Sequence, residues 1–164
     1  MTIRLVKIAM VASCALFGLL VAFNNLADYG SNATFVRHTL SMDTTFPNNA
    51  LKGRAIESPA VATVAYWLII AGEALTGLLL ALGSLRLALA LQAPARDFNA
   101  AKSIAVLGLG LGFLLWFTGF MVVGGEWFAM WQSKDWNGVP SAFRFVVVIL
   151  LVALFLVQRD EETA

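Results

Sequence analysis

Glu73 is the one acid or base deep inside any of the four long apolar runs of this 164-residue chain. It lies in YWLIIAGEALTGLLLALG, within the run Val61 to Leu82. A charge at the centre of a bilayer costs about 2.5–3.5 kcal/mol on insertion scales, so an acid there needs a partner or a proton. A carboxyl so placed has two uses. It can take up a proton or cation, or it can tie helices together by hydrogen bonds. Counted along the run, Glu73 sits near the bilayer midplane, at about 1.5 Å per residue. Ser13, Thr76, Trp116 and Thr118 fall at similar depth. Glu73, Ser13, Thr76 and Trp116 therefore form the candidate intramembrane polar site, with Glu73 neutral and hydrogen-bonded. No second acid, histidine or basic group shares that depth, so the residues favour a contact between helices over a proton relay.

A second candidate is GGEWFAMWQSKDWNGVPSAFRF, Gly124 to Phe145. Trp127 and Trp131 are four apart and share a face if helical. Trp136-Asn137-Gly138 reads as a turn, and Glu126, Lys134, Asp135 and Arg144 flank the aromatics. An amphipathic segment lying in the membrane interface accounts for this composition. The sharper reading is an interaction surface made by Glu126, Trp127, Trp131, Trp136 and Arg144, with Glu126 and Arg144 paired across the ends of two spans.

Other chemistries lack their residues. The single histidine, His38, falls outside the apolar runs, whereas a membrane haem needs His or Met ligands inside its bundle. The single cysteine, Cys14, is read as a small packing residue. The clustered ligands that metals need are missing. Gly108-Leu-Gly-Leu-Gly112 lies inside an apolar run with no lysine after it, so it is no phosphate loop. The net charge of +1 gives no general attraction to nucleic acid. No catalytic residue, cofactor or metal is expected, and the chain is read as a non-enzyme.

The elements that must position these residues follow from composition. The chain is 60% hydrophobic and 13% charged, against about 45–50% and about 25% for a soluble domain, which places it in the membrane class. A spanning helix needs about 20 apolar residues. The four runs are about 5–23, 61–82, 104–123 and 142–157, so an all-α four-helix membrane bundle is expected as one domain over 1–164. Residues 24–60 are read as a large extracytoplasmic loop, with a short surface helix over 35–42, and residues 124–141 as an outer tryptophan-rich hairpin. Arg4 and Lys7 before the first run resemble a signal peptide, but no cleavage site follows, so an uncleaved span is expected. A weak excess of Lys and Arg places both termini in the cytoplasm. Gly108 and Gly112, four apart, offer close helix approach, within the bundle or as a homo-oligomer face. The tail RDEETA is read as a solvated charged end.

Three segments, FVRHTLSMDTTFP (Phe35 to Pro47), the pair Gly72-Glu73, and Gly124 to Phe145, give the chain a family likeness. It resembles the bacterial predicted small integral membrane proteins, domain of unknown function 2165, over nearly its whole length. The resemblance implies a four-span bacterial inner-membrane protein, of proteobacterial type, and brings no activity or cofactor with it. The expected function is a non-enzymatic accessory or scaffold subunit of a membrane complex. The alternative is a small oligomeric transporter or channel with Glu73 as its proton or cation site.

Overall fold

The computed structural model describes residues 1–162 and is helical throughout its regular elements, with no strand among the described residues. Helix α1 is Thr2–Ala27, α2 is Tyr29–Ser41 and α3 is Pro59–Leu89. A short α4, Ala95–Ala101, turns at Lys102 into α5, Ser103–Phe113, which runs on as a wider π-type helix over Leu114–Trp127. Helix α6 is Val139–Val157. Among the described residues four helical rods, Thr2–Ala27, Pro59–Leu89, Ala95–Trp127 and Val139–Val157, are long and apolar enough to cross a membrane.

Each rod is longer than its apolar run, because helical hydrogen bonding continues past the last apolar residue. α1 continues through Asn24 and Asn25 and stops where the Asp28 N–H donates to the Asn24 carbonyl at 2.9 Å. α3 starts at Pro59, where a proline loses no helical hydrogen bond, and the Ser58 hydroxyl accepts from the Val61 N–H. Large leucines stand exposed around the bundle, Leu68 at 67% among them. On a soluble protein such a belt would be a liability, whereas in a bilayer it is the lipid-facing surface.

The most extensive pairing is α1 against α3. It depends on glycine: a Cβ on Gly18 would stand 3.1 Å from the Gly77 Cα, and one on Gly77 would stand 2.8 Å from the Leu19 nitrogen. α3 approaches α5 in the same way, since a Cβ on Gly83 would meet the Ala105 Cα and nitrogen at 2.7 Å. Gly108 and Gly112 are buried in this bundle, against Leu80 and against Thr76 and Ile149. Both are therefore taken up by packing within the chain and do not form a free face for a second copy.

Residues 24–60 are more structured than a loop. The first four belong to α1, and α2 takes up Tyr29–Ser41, packing Val36 against Tyr66 and Ile70 of α3. Past α2 the chain seals the tryptophan end of the bundle. Buried Met42 packs with Phe128 and Ala129, the Ile56 N–H donates to the Leu40 carbonyl at 2.8 Å, and Thr44 donates to the Ser133 hydroxyl at 2.9 Å.

At the opposite end Asp160 turns inward, which corrects the reading of the tail as wholly solvated; Arg159, Glu161 and Glu162 stay exposed, and Thr163 and Ala164 lie outside the described residues. The Asp160 side chain is only 4% exposed and lies 2.7 Å from the Lys7 ammonium and 2.5 Å from that of Lys102. Lys7 and Lys102 also donate to the Gln158 carbonyl, and Arg4 donates to the carbonyls of Leu91, Ala93 and Glu161. Three cations that an apolar-run count leaves at the membrane surface are instead buried: Arg4 fastens α1 to the α3–α4 turn, and Lys7 and Lys102 hold Gln158 and Asp160. Burial alone raises the Asp160 pKa, but hydrogen bonds from Lys102 and Lys7 outweigh it and hold the carboxyl below the ordinary aspartate value.

Candidate functional site

Glu73 stands near the middle of α3, 2% exposed, and turned into the bundle. Helical side chains lean toward the helix N-terminus. The carboxyl of Glu73 therefore reaches toward the tryptophan end, and the side chain of Asn25 on antiparallel α1 leans the opposite way to meet it. The Asn25 amide donates to Glu73 Oε2 at 2.6 Å. Tyr66, two turns up α3, donates its hydroxyl to the Asn25 backbone carbonyl at 2.6 Å, so residue 25 is held to α3 through both its backbone and its side chain. The edge of the Tyr29 ring rests on Tyr66, with centroids 4.9 Å apart.

This cluster opens on a cavity of about 320 Å³. Asn25 and Glu73 form one wall. Asn32 of α2, Asn137 and Ser141 supply further polar groups. The remainder is aromatic: Phe35, Tyr66, Trp116, Phe120 and Phe145. The π-type helix explains part of this wall. Its wider turn brings Trp116 and Phe120, four apart, onto the same side. Among the described residues no basic side chain lines the cavity.

The four residues grouped by depth divide between two cavities. Glu73 and Trp116 line the one just described. Ser13, Thr76 and Trp116 line a second, largely apolar cavity of about 360 Å³, with Cys14 and Arg144. Trp116 and Phe145 belong to both linings and cross edge-on at 5.6 Å, so this pair is the partition. Ser13 does not reach Glu73, since its hydroxyl donates to the Ala9 carbonyl of its own helix at 2.8 Å. Thr76 Oγ1 is buried with no hydrogen-bond partner. The groups that do engage Glu73 and its holder, Asn25 and Tyr66, are ones that depth counting passed over.

The tryptophan-rich segment does not form one surface. Trp127 is 54% exposed beneath the Arg54 guanidinium, 4.5 Å from the ring centre. Trp131 is 49% exposed and packs edge-on with Phe46. Trp136 turns inward and stacks on His38 at 4.7 Å, while His38 Nδ1 lies 2.7 Å from Asp43. Glu126 is exposed, Arg144 lies at the second cavity, and no ion pair joins them among the described residues.

Two kinds of comparison bear on the chain as a whole. The family described as predicted small integral membrane protein (DUF2165) matches residues 3–159. No curated protein and no solved structure matches the chain.

Proposed function

From the premise that the chain belongs to the predicted small integral membrane protein family DUF2165, we propose that it is a non-enzymatic membrane protein that holds a small ligand in the Glu73 cavity. The observation that carries this is the direction of Glu73. Glu73 ties α1 to α3 through Asn25, but a carboxyl with that task alone would have no space beside it, and one awaiting another subunit would face lipid. Glu73 instead lines a space of about 320 Å³ furnished with amides, a hydroxyl and aromatic rings, the composition of a small-molecule site. The accessory-subunit reading loses its glycine face, because Gly108 and Gly112 are internal, and keeps only the exposed Trp127 and Trp131 edge. A transport reading has one observation in its favour: the two cavities share the Trp116–Phe145 partition, and displacing that pair would join them.

We place the protein in a bacterial inner membrane with both termini in the cytoplasm. The support is that Lys7, Lys102 and Asp160 gather at one end of the bundle, with Trp127, Trp131 and Trp136 at the other.

Thiol labelling in lipid nanodiscs tests the cavity. In a Cys14→Ser background, Ala142→Cys faces the cavity and Ala105→Cys faces packed core, and both native alanines are almost fully buried. A small methanethiosulfonate reagent should label Ala142→Cys much faster than Ala105→Cys. Equal, slow labelling at both positions would mean a closed interior and would end the ligand reading.

A further inference from the structure

We infer that the ligand of the Glu73 cavity is a small organic ammonium ion, an inference that rests on the cavity being a ligand site. Charge comes first. Glu73 is the only ionisable acid or base in the lining apart from the Tyr66 phenol, and none of the lining residues is basic. Among the described residues Asn25 is the one hydrogen-bond donor to its carboxyl, on Oε2, and none of them donates to Oε1. A bound cation supplies the partner that an ionised carboxylate requires at this depth.

The walls then select the kind of cation. Phe35, Tyr66, Trp116, Phe120 and Phe145 surround the space, and aromatic faces attract alkylammonium groups within about 6 Å of a ring centre. These rings are held by one another before any ligand arrives: Phe35 stacks on Phe120 at 6.4 Å and Trp116 crosses Phe145 at 5.6 Å. Rigid walls lower the ordering cost of binding. A bare metal ion fits poorly. Calcium takes about 6–8 oxygen ligands, and among the described residues no three His, Cys, Asp or Glu side chains converge. The remaining polar groups, three asparagines and a serine, suit a hydroxyl or amide on the same ligand. An anionic ligand would meet a carboxylate and no cation.

Calorimetric titration of the full chain in nanodiscs tests the class. The probes are choline, butylammonium, the uncharged carbon analogue of choline (dimethylbutanol), and butyrate. At least one of the two ammonium ions should bind at least about tenfold more tightly than either uncharged or anionic probe, a ratio in the range of a desolvated cation–π pair. Glu73→Gln should weaken that binding by about tenfold or more, and Trp116→Leu by several-fold. Glu73→Asp, which keeps the charge, should retain measurable binding and guards against a Gln variant that fails to fold. If dimethylbutanol binds as well as choline, or Glu73→Gln leaves affinity unchanged, the ammonium class is wrong while the cavity reading stands. If neither ammonium ion binds to a protein whose Ala142→Cys labels rapidly, the class is again wrong and the cavity is real. Slow labelling with no binding removes both.

Discussion

The Asn25 amide and the Glu73 carboxyl meet at 2.6 Å and join the last turns of α1 to the middle of α3. The bond answers the physical demand that a buried acid in lipid be paired. Asn25→Leu would strip Glu73 of its one protein donor among the described residues, while the backbone carbonyl of residue 25 stays in place to receive the Tyr66 hydroxyl. We expect a loss of about 1–3 kcal/mol in stability, the cost of leaving a buried polar group unmade. Reversible unfolding in detergent measures it, with Asn24→Leu as the control. Asn24 is the exposed neighbour in the same turn, so its substitution should fall within about 0.5 kcal/mol of wild type. Equal effects at the two positions would remove the bond from the account of stability.

Asp160 makes a prediction about acid. Its carboxyl takes both Lys7 and Lys102 in a nearly closed setting, and its pKa lies below the ordinary aspartate value of about 3.9. A group depressed on folding contributes stability that is complete above its unfolded value and disappears as pH falls through its folded one. The tail should therefore stay docked at a pH of about 5 and come loose only in stronger acid. Asp160→Asn should release it at neutral pH, with a loss of about 3–5 kcal/mol, because two buried ammonium groups lose their anion. Tryptic cleavage at Arg159 reports the docking. A variant as resistant as wild type at neutral pH would mean that the backbone bonds from Arg4, Lys7 and Lys102 hold the tail unaided.

The division between what residues announce and what they conceal follows from range. Continuous apolar runs of spanning length predict four helices, and four such helices are present, because burying a backbone in lipid leaves few other solutions. The cost of a charge in lipid likewise singles out Glu73. Its partner was hidden because the apolar run ends at Phe23 and the helix does not. Counting depth by Cα position also ignores the lean of side chains, which carries Glu73 and Asn25 toward each other and keeps Ser13 away. The tail is a harder case. RDEETA has the composition of a solvated end, and only the folded bundle brings Lys7, Lys102 and Asp160 to one point. The spacing of Gly108 and Gly112 signals close approach without saying to which helix.

Two glycines in membrane helices should respond in opposite senses to one change. A Cβ at Gly83 would stand 2.7 Å from the Ala105 Cα and nitrogen, and backbone cannot swing aside as a side-chain tip can. Gly83→Ala should separate α3 from α5 at a cost of about 1–3 kcal/mol, the range of overpacked cores. Gly110 has nothing within 4 Å of its would-be Cβ. Gly110→Ala should be neutral or stabilising by up to about 1 kcal/mol, since alanine is the better helix former. Thermal unfolding of the two variants side by side checks this. Two losses of similar size would mean that glycine serves flexibility at both sites and close packing at neither.

Thr76 supplies the last prediction, because its hydroxyl is buried beside the second cavity without a partner. Threonines inside helices usually donate to a carbonyl one turn back, and Thr63 does so on this same helix, at 2.9 Å to Pro59. Valine has the same branched shape and a similar helix propensity, so Thr76→Val removes the polar atom and little else. An unpaired hydroxyl buried in an apolar site costs about 1–3 kcal/mol, and Thr76→Val should recover part of it as a higher unfolding midpoint. The sign also decides the state of the second cavity. A dry cavity leaves Oγ1 unsatisfied and makes the valine variant more stable. A water held there would satisfy the hydroxyl, and the same substitution would then lower stability by about 1 kcal/mol, the net worth of one hydrogen bond. The lining is almost wholly apolar, Leu80, Leu109 and Ile149 among it, and apolar cavities of this kind stay dry.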